Sequence, residues 1–352
     1  MKIFFRILLV LVVLPVLYLA TVIALATIRD YKPEPQEQIS KIDDDFLLSD
    51  SATYSVLIWN IGYSGLGAGM DFFYDGGKMV RDKEENVREN LQNIIGFLLD
   101  NDTVDFMLLQ EVDMNSHRSY GIDMVDHLNM ALPGYFPFFT LNYKVSFVPM
   151  PLLNPMGRVQ SGLLSLSKHV PSETVRHSFS ASFPWPKDLF MLDRCFLVNQ
   201  FKRECGKEFL LVNTHNSAYD NGTLSEAEIE QLYGHLAEES KTEKSFLVGG
   251  DWNQSPNINV KETIREAGYI FDTLDFVINS KAFPADGWSF HYDDRVPTNR
   301  RLMIPYDQEK TLVTIIDYFL ASPDIEVLSC QTIDLQFANS DHHPVLLVFR
   351  FN

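Results

Sequence analysis

The chain has 352 residues, of which 47 are acidic and 29 are basic, giving a formal net charge of −18. Positive and negative side chains balance over residues 1–44, so the acidic excess belongs to the rest of the chain. Long nucleic acids bind through many Lys and Arg contacts and are repelled by an acidic field, so they are disfavoured as partners.

The first predicted element is an apolar helix. Residues 1–6 form a short basic N-terminus, and residues 7–28 carry no charged side chain. About 20 apolar residues cross roughly 30 Å of hydrocarbon as a helix, so residues 7–28 are predicted to anchor the chain in a membrane. The Ala24-Leu25-Ala26 triplet resembles a signal-peptidase site, which leaves a cleaved signal as the alternative. The apolar run is longer than a usual signal, which favours an uncleaved anchor.

The remainder is interpreted as a stalk and one catalytic domain. Residues 29–45 contain Pro33, Pro35 and mixed charges, which are typical of a short linker. Residues 46–352 are predicted to be a single domain, because the polar groups described next are spread over its whole length. Lys2 and Arg6 precede the apolar helix, which favours an extracytoplasmic location for this membrane-anchored domain.

Several apolar runs end in acid, amide or imidazole groups. Continuous apolar runs of this length, bounded by polar residues, predict buried strands. These runs are Ser55 to Asn60, Phe106 to Glu111, Phe209 to Asn216, Phe246 to Asn253 and Thr311 to Asp317. Ser340-Asp341-His342 comes shortly before a further apolar run, Val345 to Phe349. If these strand ends meet in one cleft, its carboxylates need a cation or protons, because buried like charges repel.

Two helices and a hairpin complete the predicted elements. Apolar residues at helical spacing predict helices over Glu84–Leu99 and Ser225–Glu239. The runs Cys195–Gln200 and Glu208–Val212 predict an antiparallel hairpin. Strands that alternate with helices, together with a hairpin, favour mixed sheets over purely parallel ones.

The polar strand ends carry a resemblance that extends over most of the chain. They are Trp59-Asn60, Gln110-Glu111, Thr214-His215, Gly250-Asp251-Trp252-Asn253, Ile316-Asp317-Tyr318-Phe319 and Ser340-Asp341-His342. In this order they resemble the endonuclease/exonuclease/phosphatase superfamily, whose members include deoxyribonuclease I. The resemblance implies an α+β fold, a four-layer α/β/β/α sandwich with two packed mixed β-sheets. Trp252 departs from the pattern, since relatives usually carry Leu, Phe or Met there, which implies different packing in the second sheet.

The resemblance also implies a metal site. Glu111 would be the principal ligand of Mg²⁺, with Mn²⁺ as an alternative, and Asn60 and Asp341 would lie close by. Oxygen ligands suit such a hard cation. Whether one or two metal ions act is left open.

The same resemblance implies how protons and charge are handled. His342 would act on the attacking water or stabilise the transition state, with Asp317 fixing its tautomer. Asp251 is the competing candidate for the base. His215 and Asn253 would donate hydrogen bonds to the phosphate oxygens.

Candidate substrate-binding groups lie in the loops. Arg118, Asn299 and Arg300 are predicted to clamp a phosphate by charge-assisted hydrogen bonds. The glycine-rich segment 62–77 is expected at the rim of the site. The apolar, proline-rich segment 143–156 has two interpretations: a wedge that touches lipid, or a loop packed on its own domain, which is the more common arrangement.

These observations predict Mg²⁺-dependent hydrolysis of a phosphoester. The favoured enzyme is a phosphodiesterase that cleaves a lipid head group or a small phosphorylated molecule by in-line attack of water. The alternative is an extracytoplasmic metal-dependent nuclease that acts on DNA or RNA.

Overall fold

The computed structural model describes residues 2–43, 46–218, 223–256, 260–272 and 287–352. In these ranges the helices are α1 (Lys2–Ile28), α2 (Glu84–Asp100), α3 (Met124–Ala131), α4 (Thr223–Glu239) and α5 (Val260–Glu266). The predicted helices at Glu84 and Ser225 therefore correspond to α2 and α4. Helix α1 is long and apolar enough to be a membrane anchor or a signal sequence.

The first large sheet has six strands in the order β15-β16-β2-β3-β5-β4. Its strands are β2 (Thr53–Asn60), β3 (Phe106–Asp113), β4 (Phe136–Val148), β5 (Gly157–Ser167), β15 (Ile325–Thr332) and β16 (Val345–Phe351). Strands β2 and β3 are parallel, whereas the other neighbours are antiparallel. The carboxyl ends of β2 and β3 consequently meet at one edge of the sheet.

The second large sheet has seven strands in the order β1-β6-β7-β8-β9-β14-β11. Its strands are β1 (Gln36–Lys41), β6 (Glu173–Ser178), β7 (Cys195–Lys202), β8 (Glu208–His215), β9 (Ser245–Asp251), β11 (Ser289–His291) and β14 (Asp317–Ala321). Strands β8 and β9 are parallel, and β7 and β8 form the predicted antiparallel hairpin. A small third sheet contains β10 (Ile270–Phe271), β13 (Leu312–Thr314) and β12 (Asn299–Arg300).

The two large sheets pack face to face with helices outside. Inner-face residues of both sheets, such as Ile58, Phe209 and Phe349, form a common buried cluster. Helices α2 and α3 cover the outer face of the six-stranded sheet, and α4 covers that of the seven-stranded sheet. This arrangement is the four-layer α/β/β/α sandwich with mixed sheets that the sequence predicts.

Two segments differ from the sequence-based expectation. The run Thr311–Ile316 was expected to be one strand that ends at Asp317, but β13 stops at Thr314 in the small sheet, and Asp317 instead begins β14. The segment 29–45, predicted as a stalk, contains β1, which pairs with β6 and is an edge strand of the seven-stranded sheet. Proline and charged residues of both signs indicate an exposed segment. This composition is typical of an edge strand as well as of a linker, so the sequence did not distinguish the two.

Trp252 is accommodated by specific packing. Its buried ring stacks on that of Tyr318, with centroids 5.2 Å apart. Its Nε1 donates a hydrogen bond of 3.0 Å to the backbone oxygen of Tyr318. The indole therefore ties the end of β9 to β14 through a polar contact that Leu, Phe or Met cannot make.

Candidate active site

Polar side chains from both sheets meet at one end of the sandwich. The parallel pairs β2/β3 and β8/β9 place their carboxyl ends at this edge, which positions Asn60, Glu111 and Asp251. Strand β14 runs antiparallel to β9 with Asp317 opposite Asp251, so the first residue of β14 reaches the same edge. The loop before β16 adds Asp341 and His342.

A buried cluster of two carboxylates and an imidazole lies at the centre. Nδ1 of His342 is 2.8 Å from Oδ2 of Asp317, and Nε2 of His342 is 3.7 Å from Oδ2 of Asp251. The backbone oxygen of His342 accepts a hydrogen bond of 2.9 Å from Nε1 of Trp59. Both ring nitrogens of His342 thus lie near carboxylates, and Trp59 of β2 holds its backbone.

The protonation states of this cluster follow from burial and charge. Burial raises the pKa of Asp251 to about 6. Burial alone would lower the pKa of His342, but the charges of Asp317, Asp251 and Asp341 raise it to about 10. Burial, reinforced by the charge of Arg194, lowers the pKa of His215 well below its usual value. Near neutral pH, His342 is an imidazolium, His215 is neutral, and Asp251 can take up a proton.

The hydrogen bond between Asn299 and His342 depends on the protonation state of the imidazole. Its Nδ2 lies 2.9 Å from Nε2 of His342, an arrangement that suits neutral imidazole as the acceptor. An imidazolium needs an acceptor instead. Turning the amide over would offer Oδ1 of Asn299, but it would also break the hydrogen bond of 3.3 Å that Nδ2 donates to the backbone oxygen of Asp341. Asn299 contacts the imidazole and also lines the cavity, so its predicted contact with substrate phosphate stays a prediction.

Glu111 projects from an irregularity in β3. The pairing of β3 with β5 shifts between Leu109 and Val112, and Glu111 has a φ of +54°. Non-glycine residues adopt this conformation at a cost, and it re-aims the side chain away from the regular alternation of the strand. The distortion turns the Glu111 carboxylate toward Asn60, whose Nδ2 lies 3.5 Å from its Oε1.

Glu111, Asp341 and Asn60 fit the ligand set of a hard divalent cation. Burial raises the pKa of Asp341 to about 7, and the charge of Glu111 contributes to the rise. Such mutual repulsion of carboxylates is what a cation relieves. Oδ1 of Asn60 accepts a hydrogen bond of 3.0 Å from the backbone of Gly62 and keeps a second lone pair.

A second group of donors could also hold a cation. Donor atoms of Asp251, Asp317 and His342 all lie within 4.8 Å of one another. However, Oδ2 of Asp317 is already paired with Nδ1 of His342, and Oδ2 of Asp251 accepts a hydrogen bond of 2.9 Å from Nδ2 of Asn60. The chemistry of this group therefore suits proton handling, and the oxygen ligands around Glu111 suit the metal.

His215 and Asn253 flank the cluster. Nε2 of His215 lies 3.4 Å from Oδ2 of Asp251 and 3.9 Å from Oε1 of Glu111. The backbone nitrogen of Asn253 donates to Oδ1 of Asp251, and its Nδ2 donates to the backbone oxygen of Asn216. Both side chains line the cavity. Their role as hydrogen-bond donors to phosphate oxygens stays a prediction.

The two predicted arginine clamps have different environments. Nε and Nη2 of Arg118 contact both carboxylate oxygens of Asp113, at 3.1 and 2.9 Å, and its guanidinium lies 3.6 Å from the centroid of the Tyr63 ring. Arg118 also lines the cavity, 4.0 Å from Glu111, so a phosphate contact remains a prediction.

Arg300 lines the cavity but is bound mainly to backbone groups. It is buried, and its Nη2 donates to the backbone oxygens of Leu66, Gly67 and Met70. These contacts hold the glycine-rich segment 62–77 in place, so Arg300 shapes the rim of the site. A phosphate contact of Arg300 stays a prediction.

Some residues of the site were not identified from the sequence. Asp113 orients Arg118. The sequence did signal Asp113, because it is a second acidic residue two positions after Glu111 on the same strand. Buried Glu228 of α4 accepts hydrogen bonds from the backbone nitrogen and the hydroxyl of Ser217, which steadies the chain after His215. No local pattern links Glu228 to Ser217, because the contact joins a helix to a strand end.

The cluster opens into a cavity of about 750 Å³. Glu111, Asp251 and His342 line its catalytic end. Apolar side chains also line the cavity, among them Phe72, Met150, Met156, Phe190, Met191 and Leu302. Part of segment 62–77 lines the cavity, as expected, and the site can receive a molecule with one phosphorylated and one apolar part.

The sequence comparison identifies one family. Residues 57–342 match the model of the endonuclease/exonuclease/phosphatase family. A search of curated proteins found no significant match.

Solved structures share the fold. An endonuclease/exonuclease/phosphatase from Beutenbergia cavernae DSM 12333 is 18% identical, with a TM-score of 0.55 over 85% of this chain and 72% of that chain. D. rerio TDP2 complexed with single strand DNA product is 14% identical, with a TM-score of 0.53 over 85% of this chain and 100% of that one. The human Nocturnin catalytic domain with bound sulfate anion is 17% identical, with a TM-score of 0.51 over 85% and 95%. At these identities the likeness concerns the fold alone.

Proposed function

Because the chain belongs to the endonuclease/exonuclease/phosphatase family of phosphoester hydrolases, we propose that it is a Mg²⁺-dependent phosphodiesterase acting on a lipid head group or a small phosphorylated molecule. The observation that carries the proposal is that Glu111, Asp251 and His342 line one cavity together with apolar side chains, while buried Asp317 contacts Nδ1 of His342. Helix α1 would hold the enzyme at a membrane, with the catalytic domain outside the cytoplasm.

The proposed reaction is in-line attack of water on phosphorus. Asp251, whose pKa lies near 6, accepts a proton from the attacking water. His342, held as an imidazolium by Asp317, donates a hydrogen bond to the charge that develops on the phosphoryl oxygens. The new P–O bond forms opposite the leaving oxygen, whose bond to phosphorus breaks. No covalent intermediate with the protein is required.

The residues around Glu111 complete the site. Glu111, Asp341 and Asn60 would hold the divalent cation, for which Mn²⁺ is an alternative to Mg²⁺. When bound there, such a cation supplies positive charge next to a phosphoryl oxygen. His215 and Asn253, which line the same cavity, donate hydrogen bonds to the remaining phosphate oxygens.

Charge and cavity shape favour a lipid or small molecule over nucleic acid. The net charge of −18 opposes the approach of a polyanion. The apolar side chains that line the cavity add nothing to binding of a sugar–phosphate backbone, but they can bury an acyl chain at about 25 cal/mol per Å². A nuclease is retained as the alternative function because other members of the fold act on nucleic acid, as the DNA product bound to D. rerio TDP2 illustrates.

A substrate panel tests the proposal. The full chain in detergent micelles would be assayed with bis-p-nitrophenyl phosphate, sphingomyelin, phosphatidyl lipids, inositol phosphates and DNA, with Mg²⁺ and after chelation. Glu111→Ala should lower turnover by about 100-fold or more, because it removes the principal metal ligand. Glu326→Ala is the matched control, since Glu326 forms a surface ion pair with Arg350 on β15 and β16.

The outcomes separate the alternatives. Hydrolysis of a lipid phosphodiester that needs Mg²⁺ and Glu111 supports the proposal. Equal turnover by wild type and Glu111→Ala would refute the metal site. Strong cleavage of DNA at physiological salt, without lipid hydrolysis, would favour the nuclease.

A further inference from the structure

Three exposed apolar side chains lie close in sequence to residues that line the cavity. Leu152, Leu153 and Trp185 are 67%, 101% and 64% exposed. Leu152 and Leu153 follow the cavity-lining Met150, and Trp185 lies between the cavity-lining Phe183 and Lys187. Large apolar side chains this exposed, on two segments that both line the cavity, indicate a binding surface. We call Leu152, Leu153 and Trp185 the apolar rim.

The end of helix α1 contacts the segments that carry this rim. Residues 11–20 of α1 are exposed throughout, whereas Ala26 near its end is buried. Helix α1 packs on β4 and on the short helical turn Asp188–Phe190. The loop of Leu152 and Leu153 follows β4, and Trp185 lies three residues before the turn, so anchor and rim share their supporting elements.

A second contact locates the point where the chain leaves α1. Nζ of Lys144, near the end of β4, lies 4.8 Å from the centroid of the Tyr31 ring. Tyr31 comes three residues after the end of α1. The chain therefore passes directly from α1 onto β4, without a flexible spacer that would let the domain stand away from the helix.

Helix geometry sets the height of the rim above the membrane. About 20 residues at 1.5 Å each cross roughly 30 Å of hydrocarbon. Counted from Ile7, the hydrocarbon ends near Ala26, which is the part of α1 that meets the domain. The elements that support the rim consequently lie at the boundary between acyl chains and head groups.

From these contacts we propose that the apolar rim inserts into the surface of the membrane that holds α1, so that the cavity opens onto the lipid interface. The inference deepens the proposed function, on which it rests: the substrate is a phosphodiester lipid of that same membrane. Its head group reaches Glu111 and His342, and its apolar part lies along the wall formed by residues such as Phe190 and Met191.

Charge supports apolar insertion over electrostatic adsorption. The net charge of −18 gives the domain no attraction to anionic lipids. Leu and Trp side chains, in contrast, gain from transfer into the interface whatever the head-group charge, and Trp is enriched at this depth of the bilayer. Activity should accordingly persist in vesicles of purely zwitterionic lipid.

The position of the rim can be measured with an intrinsic probe. Trp59 and Trp252 are buried and Trp288 is partly buried, whereas Trp185 is exposed. The full chain would be reconstituted into phosphatidylcholine vesicles with bromine atoms on the acyl chains. Quenching of tryptophan fluorescence should be strong in wild type and should fall clearly in Trp185→Phe. Equal quenching in both proteins would overturn the proposal, whatever the substrate is.

Kinetics give a second, independent measurement. Leu153→Glu and Trp185→Glu should reduce hydrolysis of vesicle lipid by roughly tenfold each, as expected for an apolar contact replaced by a charge. Hydrolysis of bis-p-nitrophenyl phosphate, which needs no interface, should change by less than about twofold. Leu328→Glu is the matched control, because Leu328 is 46% exposed but lies on β15, outside the rim.

Failure of the inference differs from failure of the proposed function. If lipid is hydrolysed and the rim variants behave like wild type, the rim is not inserted, although the enzyme is a lipid phosphodiesterase. If no lipid is hydrolysed, the proposed function fails, and the fluorescence measurement alone decides whether the rim is in the membrane.

Discussion

Replacing Asp317 by Asn tests the central assignment of the site. Asp317 is fully buried, and its Oδ2 lies 2.8 Å from Nδ1 of His342. Asn has the same shape and can still accept a hydrogen bond, but it lacks the charge that holds His342 as an imidazolium. We expect kcat to fall by about 100- to 1000-fold, in the range of a positioned acid–base group, while KM changes by less than about threefold.

The variant should still fold. Removing one partner of a buried ion pair costs about 3–5 kcal/mol when the other charge is stranded, but His342 can respond by releasing its proton. We therefore expect a loss of stability of about 2 kcal/mol, read from urea unfolding of the full chain in micelles. Circular dichroism would verify that the secondary structure is retained.

A neighbouring Asp–His pair provides the control. Oδ1 of Asp334 lies 3.3 Å from Nε2 of His343, and Asp334 is partly exposed. His343 packs on Phe337 and points away from the catalytic cluster. Asp334→Asn should leave kcat within about twofold of wild type. If Asp317→Asn kept wild-type kcat, or if both variants lost activity equally, the role given to Asp317 would be wrong.

Three further predictions concern the base, the loop glycine and the response to acid. Activity should fall as the pH drops through about 6, because Asp251 must be unprotonated to act as base. His342→Gln should keep this limb of the pH–rate profile at a lower rate and move it to higher pH, because the charge of His342 lowers the pKa of Asp251. Asp251→Asn should lose the limb, and the reverse result would make His342 the base. Gly62→Ala should destabilise the fold by about 1–2 kcal/mol in urea unfolding and should lower kcat. Gly62 has a φ of +49°, and a Cβ there would lie 2.9 Å from Oδ1 of Asp341. Gly69→Ala is the control and should be neutral, because Gly69 has open space around it. Burial lowers the pKa of His177 to about 4. The contribution of neutral His177 to stability is therefore complete above pH 6.5 and is lost as the pH falls from 6.5 to 4. Between pH 7.5 and pH 5, wild type should lose about 2 kcal/mol more of its free energy of unfolding in urea than His177→Phe does, and identical losses would contradict the argument.

The sequence allowed the strands of the site to be predicted because each is a local pattern. Runs such as Phe246–Val248 are apolar over consecutive residues, and the polar residues that follow must emerge where the strand ends. Parallel strands of one sheet share that edge, so the neighbouring positions of Asn60 and Glu111 followed from local signals. Asp251 belongs to the other sheet, and its approach to them depends on how the two sheets pack.

The remaining features depend on contacts between distant segments. Arg300 resembled a phosphate clamp because its basic side chain follows a polar loop, but its carbonyl partners lie more than 200 residues earlier in the chain. The division of residues 311–321 between two sheets is likewise set by tertiary pairing, since the apolar run is continuous across Asp317. The strained backbone of Glu111 follows from the pairing of β3 with β5, which leaves no mark in the sequence of β3 itself.

The pairing of Asp251 opposite Asp317 makes hydrolysis a readout of correct folding. A slip of one residue between β9 and β14 would set Asp251 against Ile316 or Tyr318 and turn the Asp317 carboxylate to the other face of the sheet. A slipped molecule could keep its compact shape and most of its secondary structure, yet it would lack the partner that orients His342. The specific activity of a preparation therefore measures the fraction of molecules with correctly aligned strands, a quality that circular dichroism and size-exclusion chromatography do not detect.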